Sequence, residues 1–260
     1  MKARGLMVAL LAFVAIAAVL LPLALWSVAQ QWFPPALWPQ KFGLRGLREV
    51  ARSGAVSATI ASALVASAVA LLSAVIAYPA GRALGLATFR GHVAMRTWLI
   101  APALLPPMAA ALGLHSGFIR LGLADTTLGV VLSHLVPALP YAVSVIAATF
   151  SGFDARYETV ARNLGASRLR VLTAVTLPLI WPGLLVAVLF TFLVSWSQYA
   201  LTLIVGGGVV ITLPVLLFGL ASGGDLHLTA AACVAFLVPV LLLLPVTARA
   251  LTGSALGGRG

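Results

Sequence analysis

Acidic side chains are scarce in this sequence of 260 residues, which has 5 Asp and Glu against 16 Lys and Arg. Charged residues of both signs make up only 8% of the chain, and cysteine occurs once, as Cys233. One cysteine excludes an intramolecular disulfide, and so little charge excludes an ordinary soluble domain, in which about a quarter of the residues are charged. Neither a P-loop nor a GxSxG motif is present. We therefore expect no enzymatic activity in this chain.

Hydrophobic residues dominate instead, at 62% of the chain, and the mean hydropathy is +1.12. Several apolar runs reach about twenty residues, the length that crosses a bilayer as a helix. The runs do not alternate apolar and polar positions as barrel strands do, so they predict helices. The expected fold class is all-α, a polytopic membrane protein with a single domain over residues 1–260. The six predicted transmembrane helices span about 6–29, 54–80, 97–115, 128–150, 182–205 and 228–250.

The basic residues predict how this chain is oriented in the membrane. The net charge of +11 would suit a nucleic-acid-binding protein, but basic residues at the edges of apolar spans are typical of membrane topology. With the N-terminus inside, eleven of the 16 basic residues fall in cytoplasmic segments and five fall outside. This asymmetry predicts that both termini and the segments 81–96 and 151–181 are cytoplasmic. We read the first apolar run as an uncleaved span, because no small-residue cleavage site follows it.

Proline and glycine mark two further features. The third and fourth predicted spans contain five prolines, which bend membrane helices and serve either packing or gating. These are Pro102, Pro106, Pro107, Pro137 and Pro140. The segment 206–225 has an apolar core, 209–221, that is too short to cross the membrane. It is bracketed by glycines, and we expect it to be an interfacial or re-entrant piece on the outer side.

A charged stretch, YETVARNLGASRLRVLTAVTLPLIWPG, interrupts the apolar pattern between Tyr157 and Gly183. At helical period it has one apolar face and one polar face, and Gly165 then breaks the pattern. The apolar face comprises Tyr157, Val160, Ala161 and Leu164, and the polar side comprises Glu158, Thr159, Arg162 and Asn163. Ser167 can cap a second helix after the break. The pattern predicts two short helices with a bend at Gly165, which could rest on lipid or dock into a groove of a cytoplasmic partner.

This stretch resembles the cytoplasmic loop of permease subunits of binding-protein-dependent importers of the ATP-binding-cassette (ABC) class. The loop has the pattern E-A-A, three residues, Gly, nine residues, I-x-L-P. Here nine residues follow Gly165, and then VTLP ends at Pro178. The E-A-A register falls on residues 159–161, where only Ala161 matches, and an acid stands one position earlier, at Glu158. The segments FIRLGLADTTLGVVLSHLVPALPYAV and LVSWSQYALTLIVGGG are also similar to this family.

The resemblance implies an ATP-driven importer in a bacterial inner membrane, surrounded by lipid and without a nucleic-acid partner. Two permease subunits, identical or different, form the pathway, and an external solute-binding protein delivers the substrate. The loop helix, 157–169, docks into a cleft of a cytoplasmic ABC ATPase subunit, which binds the ATP, so this chain needs no cofactor. The residues that the resemblance assigns to ATPase coupling are Tyr157, Glu158, Thr159, Ala161, Arg162, Leu164, Gly165, Ala166 and Pro178.

Polar residues within the predicted spans are the candidates for the pathway. The resemblance places the SWSQY stretch of the fifth span near the pathway, which makes Ser195, Trp196, Gln198 and Tyr199 candidates for substrate contact. Hydrogen bonds between helices would explain these polar groups equally well. His134 in the fourth span is a further candidate, although a lone histidine there more often serves helix packing. None of the four histidines has the spacing of metal ligands.

A secondary transporter without an ATPase partner is the alternative function. Such a protein would have paired ionisable residues within the membrane, whereas all five acids of this chain fall in loops or at the ends of spans. A membrane hydrolase would need a nucleophile paired with a base, and no such motif is present. No residue selects among thiamine, polyamines, ferric iron and oxyanions as the substrate.

Overall fold

The computed structural model describes residues 2–33 and 35–256, and most of these lie in helices. Apart from one short antiparallel hairpin, the regular elements of that part of the chain are helical, which confirms the all-α prediction. The elements are α1 (Lys2–Val28), β1 (Ala29–Gln31), β2 (Lys41–Phe42), α2 (Arg45–Arg52), α3 (Ala55–Leu86), α4 (His92–Ile100), a 3₁₀ turn (Ala101–Leu104), α5 (Pro107–Leu121), α6 (Thr127–Ser151), α7 (Arg156–Asn163), α8 (Arg168–Val171), a π-helical turn (Leu172–Thr176), α9 (Leu177–Trp196), α10 (Ala200–Val205), α11 (Leu213–Ser222) and α12 (Leu226–Leu256).

Four helices in the described residues are long and apolar enough to cross a membrane. They are Ala55–Leu86, Thr127–Ser151, Arg168–Trp196 and Leu226–Leu243. The bent pair His92–Leu104 and Pro107–Leu121 adds a fifth if it is counted as one span, and the apolar helix within α1, Phe13–Val28, is shorter. The chain is therefore a polytopic helical membrane protein, and the count of six spans stays a prediction.

The third predicted span, 97–115, is not one continuous helix. The 3₁₀ turn after α4 ends at Leu104, and α5 begins at Pro107, with an angle of 95° between the two halves. Leu105 and Pro106 are extended between them, with ψ angles of 136° and 127°. Consecutive prolines remove backbone donors and disfavour helical angles at the preceding residue, so the chain breaks here. Pro137 and Pro140, in contrast, lie inside the continuous helix α6.

The fifth predicted span, 182–205, was wrong at both ends. The helix begins at Arg168, continues through the π-helical turn into α9 and ends at Trp196. Pro178 and Pro182 do not interrupt it, although the sequence pattern placed the entry to the span there. After a break at 197–199 the chain continues as the short helix α10. Neither glycine nor proline marks this break in the sequence.

The chain groups into two compact units, and the prediction of a single domain stays a prediction. The first unit combines Met1–Ile60 with Thr212–Leu241. Within it, Gly46 of α2 packs directly on α12, because a Cβ atom at this position would lie 2.8 Å from the carbonyl oxygen of His227. Trp26 stacks on Trp32 with ring centroids 4.5 Å apart. The second unit combines Ala61–Ile211 with Leu242–Gly260 and contains the charged stretch.

In the second unit, helices α3, α6 and α9 share a hydrophobic core that includes Val143, Ile146, Phe150 and Ile180. Glycines on α3 allow it to lie unusually close to α6. A Cβ atom at Gly81 would lie 2.6 Å from Ile146, and one at Gly85 would lie 2.5 Å from the Cβ atom of Phe150. Small residues four apart are typical of close helix contacts in membranes. This contact fixes the position of the α3 residues between the two glycines.

Candidate functional site

The charged stretch bends at Gly165, as its sequence pattern predicts, but only its first helix is short. The predicted second short helix is instead the start of the long helix Arg168–Trp196, because neither the π-helical turn nor Pro178 ends it. Helix α7 ends at Asn163, and Gly165 follows with a φ angle of +86°. This left-handed conformation favours glycine, since it has no Cβ atom. The Ser167 hydroxyl accepts a hydrogen bond from the Arg170 backbone N–H at 3.3 Å and caps α8. The predicted bend and the predicted cap are both confirmed.

The apolar side of α7 is exposed to its surroundings rather than packed on the rest of the chain. The exposed fractions of Tyr157, Val160, Leu164 and Leu169 are 59%, 56%, 82% and 70%. We call these four residues the docking stripe. Arginines surround it, and Arg156, Arg162, Arg168 and Arg170 are all exposed. The α7–α8 segment therefore presents an apolar strip with a basic margin.

The Glu158 side chain points inward, and the residue is only 4% exposed. Arg82 of α3 donates two parallel hydrogen bonds to its carboxylate, from Nη1 to Oε1 and from Nη2 to Oε2, each 2.6 Å long. The Thr176 hydroxyl donates a third hydrogen bond to Oε1 at 2.6 Å. Arg162 of α7 adds a longer contact to Oε2 at 3.4 Å. We call Arg82, Glu158 and Thr176 the anchor cluster.

Each partner in the anchor cluster is placed by its own element. Arg82 lies between Gly81 and Gly85, at the close contact of α3 with α6, and its guanidinium lies 5.5 Å from the centre of the Phe150 ring. Thr176 is the last residue of the π-helical turn, a rare conformation that often occurs at functional sites. Bidentate pairs between arginine and a carboxylate fix orientation as well as distance. The cluster therefore connects α3, α7 and the base of α9.

The hydrogen bonds from Arg82 lower the pKa of Glu158 to about 2, with a further contribution from the Thr176 hydroxyl. Burial opposes this shift, because it disfavours the charged form. The carboxylate is thus ionised at every physiological pH, and the ion pair is permanent under these conditions.

Sequence reasoning missed Arg82 and Thr176. Arg82 was counted only as a cytoplasmic charge, yet it lies within a helix that is otherwise apolar and has a glycine on either side. An arginine in such a helix is a signal that it has a specific partner. Thr176 occupies the variable position of the VTLP motif, and nothing in its local pattern indicates a long-range bond.

The other residues assigned to coupling surround the anchor cluster and the docking stripe. Thr159 is exposed, Ala161 and Ala166 are half-buried, and Pro178 is exposed near the start of α9. The α7–α8 segment therefore has an inward side, which holds it to the helices, and an outward side, which is largely exposed in the described residues.

His134 and Ser195, two of the pathway candidates, contact each other. The Nδ1 atom of His134 lies 2.9 Å from the Ser195 hydroxyl, and its Nε2 atom lies 2.9 Å from the Thr202 hydroxyl. All three residues are buried. The Thr202 hydroxyl also donates to the Gln198 carbonyl oxygen at 3.1 Å. These bonds connect α6 with both sides of the break between α9 and α10, as a role in helix packing requires, and a pathway role for these residues stays a prediction.

Gln198 is placed differently, because it lines a cavity of about 280 Å³ together with Ser197 and Tyr141. The prolines at 102, 107 and 137 line the same cavity. Trp196 is buried and stacks on Phe192, and Tyr199 is half-buried at the break. Of the SWSQY candidates, Gln198 is thus the one with a polar side chain beside an open space. Substrate contact by these residues stays a prediction.

Comparison with known proteins gives consistent results. Residues 77–253 match the family model described as the inner membrane component of binding-protein-dependent transport systems. ORF1 of Streptomyces antibioticus, a provisionally named ABC transporter permease, is 30% identical over 204 residues, which cover 77% of this chain and 89% of that protein. The molybdenum transport system permease protein ModB of Mycobacterium tuberculosis is 31% identical over 194 residues, covering 68% and 71%.

A polyamine-system protein and a solved structure are similar as well. The spermidine/putrescine transport system permease protein PotC of Haemophilus influenzae is 28% identical over 169 residues, covering 65% of this chain and 66% of that protein. The crystal structure of a bacterial ABC transporter involved in the import of alginate, an acidic polysaccharide, has a chain that superposes with a TM-score of 0.73. That chain is 17% identical, and the match covers 95% of this chain and 96% of the other. This last likeness concerns the fold.

Proposed function

The chain belongs to the family of binding-protein-dependent inner membrane transport components and is a permease subunit of an ABC importer, and from this premise we propose that its α7–α8 segment docks a cytoplasmic ABC ATPase. The observation that carries the proposal is the docking stripe. Its four apolar residues are more than half exposed along α7, the turn that follows it and the start of α8, and α7 is held from its other side by the ion pair of the buried Glu158 with Arg82. An apolar helix face that inserts into a groove is a recurring mode of recognition.

The ATPase, and not this chain, binds and hydrolyses ATP in this proposal. A second permease subunit, identical or homologous, completes the pathway, and an extracytoplasmic solute-binding protein delivers the substrate. Relatives are named for molybdenum and for spermidine/putrescine transport. These species differ in charge, so we infer that the binding protein of each system sets the substrate. Gln198 and the cavity beside it form part of the pathway.

Both termini and the α7–α8 segment face the cytoplasm in this arrangement. The asymmetry of the basic residues supports this orientation. A cysteine introduced at position 41 should react with an impermeant reagent from outside, and one at position 168 should be protected. Labelling at position 168 and protection at position 41 would show the opposite orientation. The docking stripe would then lie outside, where no cytoplasmic ATPase could reach it.

Co-purification of the ATPase tests the docking proposal. A charge in the middle of the docking stripe would have to be buried without a partner, so Leu164→Asp should release the ATPase from the complex. Asn163→Asp is the matched control, because it adds the same charge to an exposed neighbour outside the stripe. We expect the ATPase to remain bound to the control and to be lost from Leu164→Asp. Equal amounts of ATPase on both variants would contradict the proposal.

A further inference from the structure

We propose that Arg82, Glu158 and Thr176 are positioning residues that transmit the movement of the docked α7 helix to α3 and α9. This inference rests on the proposed docking of an ATPase at α7, and it adds the route by which that docking reaches the membrane helices. The anchor cluster is not itself part of the docking surface, because Glu158 is buried on the inner side of α7.

The geometry of the pair makes the connection rigid. Two parallel hydrogen bonds of 2.6 Å join the guanidinium to the carboxylate, so that α7 can neither slide nor rotate relative to α3 without breaking at least one of them. A planar guanidinium fork imposes this constraint, whereas a single ammonium group would act as a point charge. Glu158 is buried and the Arg82 side chain is 31% exposed, so loss of Arg82 would leave a buried carboxylate without its main partner, which is unfavourable. The helix therefore moves together with Arg82.

Thr176 adds a second connection, to the base of α9. Its hydroxyl reaches the same carboxylate oxygen that accepts from Arg82, across 18 residues of chain. Helix α7 is thus joined to α9 twice, once through α8 along the chain and once through this hydrogen bond. Two connections at different points fix the orientation of α7 relative to α9. The covalent connection alone would let α7 rotate about a hinge at Gly165.

The contacts of α3 with α6 extend the connection toward the cavity. Gly81 and Gly85 bring α3 close to Ile146 and Phe150, so a displacement of the Arg82 region cannot be absorbed by a gap between the two helices. Tightly packed interfaces pass on small shifts because they have few alternative arrangements. Helix α6 also carries Pro137 and Tyr141, which line the cavity with Gln198. The predicted consequence is that this cavity opens or closes as the ATPase changes state.

The test reports cavity access in the assembled complex of permease and ATPase, with ATP and vanadate as the probes. Cys233→Ser removes the one native thiol, and Ser197→Cys places a reporter in the cavity wall. The measured quantity is the ratio of maleimide labelling rates with and without trapping by ATP and vanadate. A variant that fails to fold would give a lower yield of purified complex, or would change the labelling rates with and without trapping alike. A variant that folds but no longer transmits the movement would change the ratio of the two labelling rates.

The chain that carries only Cys233→Ser and Ser197→Cys is the reference chain. In it we expect trapping to change the labelling rate by about fivefold or more, the usual range of coupling between sites. Arg82→Lys, which keeps the charge and loses the fork, and Glu158→Gln should bring the ratio close to one, with the ATPase still bound and still trapping nucleotide. Arg90→Lys is the matched control, since Arg90 is exposed, and its ratio should equal that of the reference chain.

Two results would overturn the inference. One is an unchanged ratio in both Arg82→Lys and Glu158→Gln, and the other is release of the ATPase from them, which would place the pair in docking instead. If neither variant can be purified, Thr176→Val decides, because it removes one hydrogen bond and no charge; a ratio equal to the reference would then refute the inference. Failure of the proposed function would look different, as an absence of ATPase from the reference complex itself.

Discussion

At the scale of single residues, the carboxylate of Glu158 determines how α7 is held. It accepts three hydrogen bonds of 2.6 Å from two elements that are distant in the sequence. Periodicity predicted an apolar face of α7, and Tyr157, Val160 and Leu164 are indeed exposed together, but it grouped Glu158 with polar residues that are exposed, whereas Glu158 is buried. It could not predict that this acid is buried, because its partner Arg82 lies 76 residues away. Local patterns carry no information on such a pair.

Gly165 is the residue on which the bend between α7 and α8 depends. Its φ angle is +86°, and among the described residues beyond its two chain neighbours no atom lies within 4 Å of the place a Cβ would occupy, so backbone strain and not a clash opposes substitution. A β-branched residue in this conformation costs about 1–3 kcal/mol. We expect Gly165→Val to yield an inserted permease that binds less ATPase and supports less ATP hydrolysis. Gly152→Val is the control, since Gly152 has a φ of −97° and a Cβ atom there would make only an ordinary contact, 3.9 Å from the Thr149 carbonyl oxygen; equal ATPase binding by the two variants would contradict the assignment.

The pKa of Glu158 predicts a pH dependence with a definite sign. Its value in the folded chain, about 2, lies below the ordinary value of 4.5. The stabilisation is therefore fully present above about pH 4.5 and is lost as the pH falls toward 2. Glu158→Gln should lower the melting temperature by a constant amount between about pH 8 and 5.5, and the difference should shrink in more acidic solution. A difference that varied between about pH 8 and 6 would indicate that another group is responsible.

At the scale of elements, four of the predicted spans overlap helices long and apolar enough to cross a membrane, but the hydrophobic runs did not predict where these helices end. The break at 197–199 has no proline or glycine, and it is held by the bonds from His134 to Ser195 and Thr202. The π-helical turn before α9 likewise has no signature in its sequence, LTAVT. The bend at Gly165 and the cap at Ser167 were predictable because each depends on a residue within the segment itself. The break at 197–199 and the π-helical turn depend instead on hydrogen bonds to residues that are distant in the sequence.

The short helix α11 allows a prediction about membrane topology. It has 10 residues, from Leu213 to Ser222, and spans about 15 Å at a rise of 1.5 Å per residue, half the thickness of the hydrocarbon core. The segment 206–227 should therefore enter and leave the membrane on the outer side. A reporter enzyme fused after Asp225 should be active only in the periplasmic form. Activity of a cytoplasmic reporter at this position would mean that the segment crosses the membrane and that the topology has another span.

At the scale of the whole molecule, the chain is a membrane subunit with an exposed apolar surface that we propose a cytoplasmic partner covers. The docking stripe is exposed and apolar, and a soluble surface rarely leaves such side chains uncovered on one face. The sequence left two occupants open, lipid and a protein groove. Family membership favours the ATPase, and the anchor cluster is the proposed route by which force applied to α7 would reach the membrane helices.

Photo-crosslinking from the docking stripe tests this account most directly. A benzoylphenylalanine at position 164, in the middle of the stripe, reacts with whatever lies within a few ångströms of Leu164, and the same probe at Trp98, 80% exposed on α4, serves as the control. In membranes containing the whole importer, we predict an adduct between position 164 and the ATPase that forms in high yield and is absent from position 98. An adduct with lipid at position 164, or an ATPase adduct at position 98 alone, would contradict the assignment of α7 as the coupling helix.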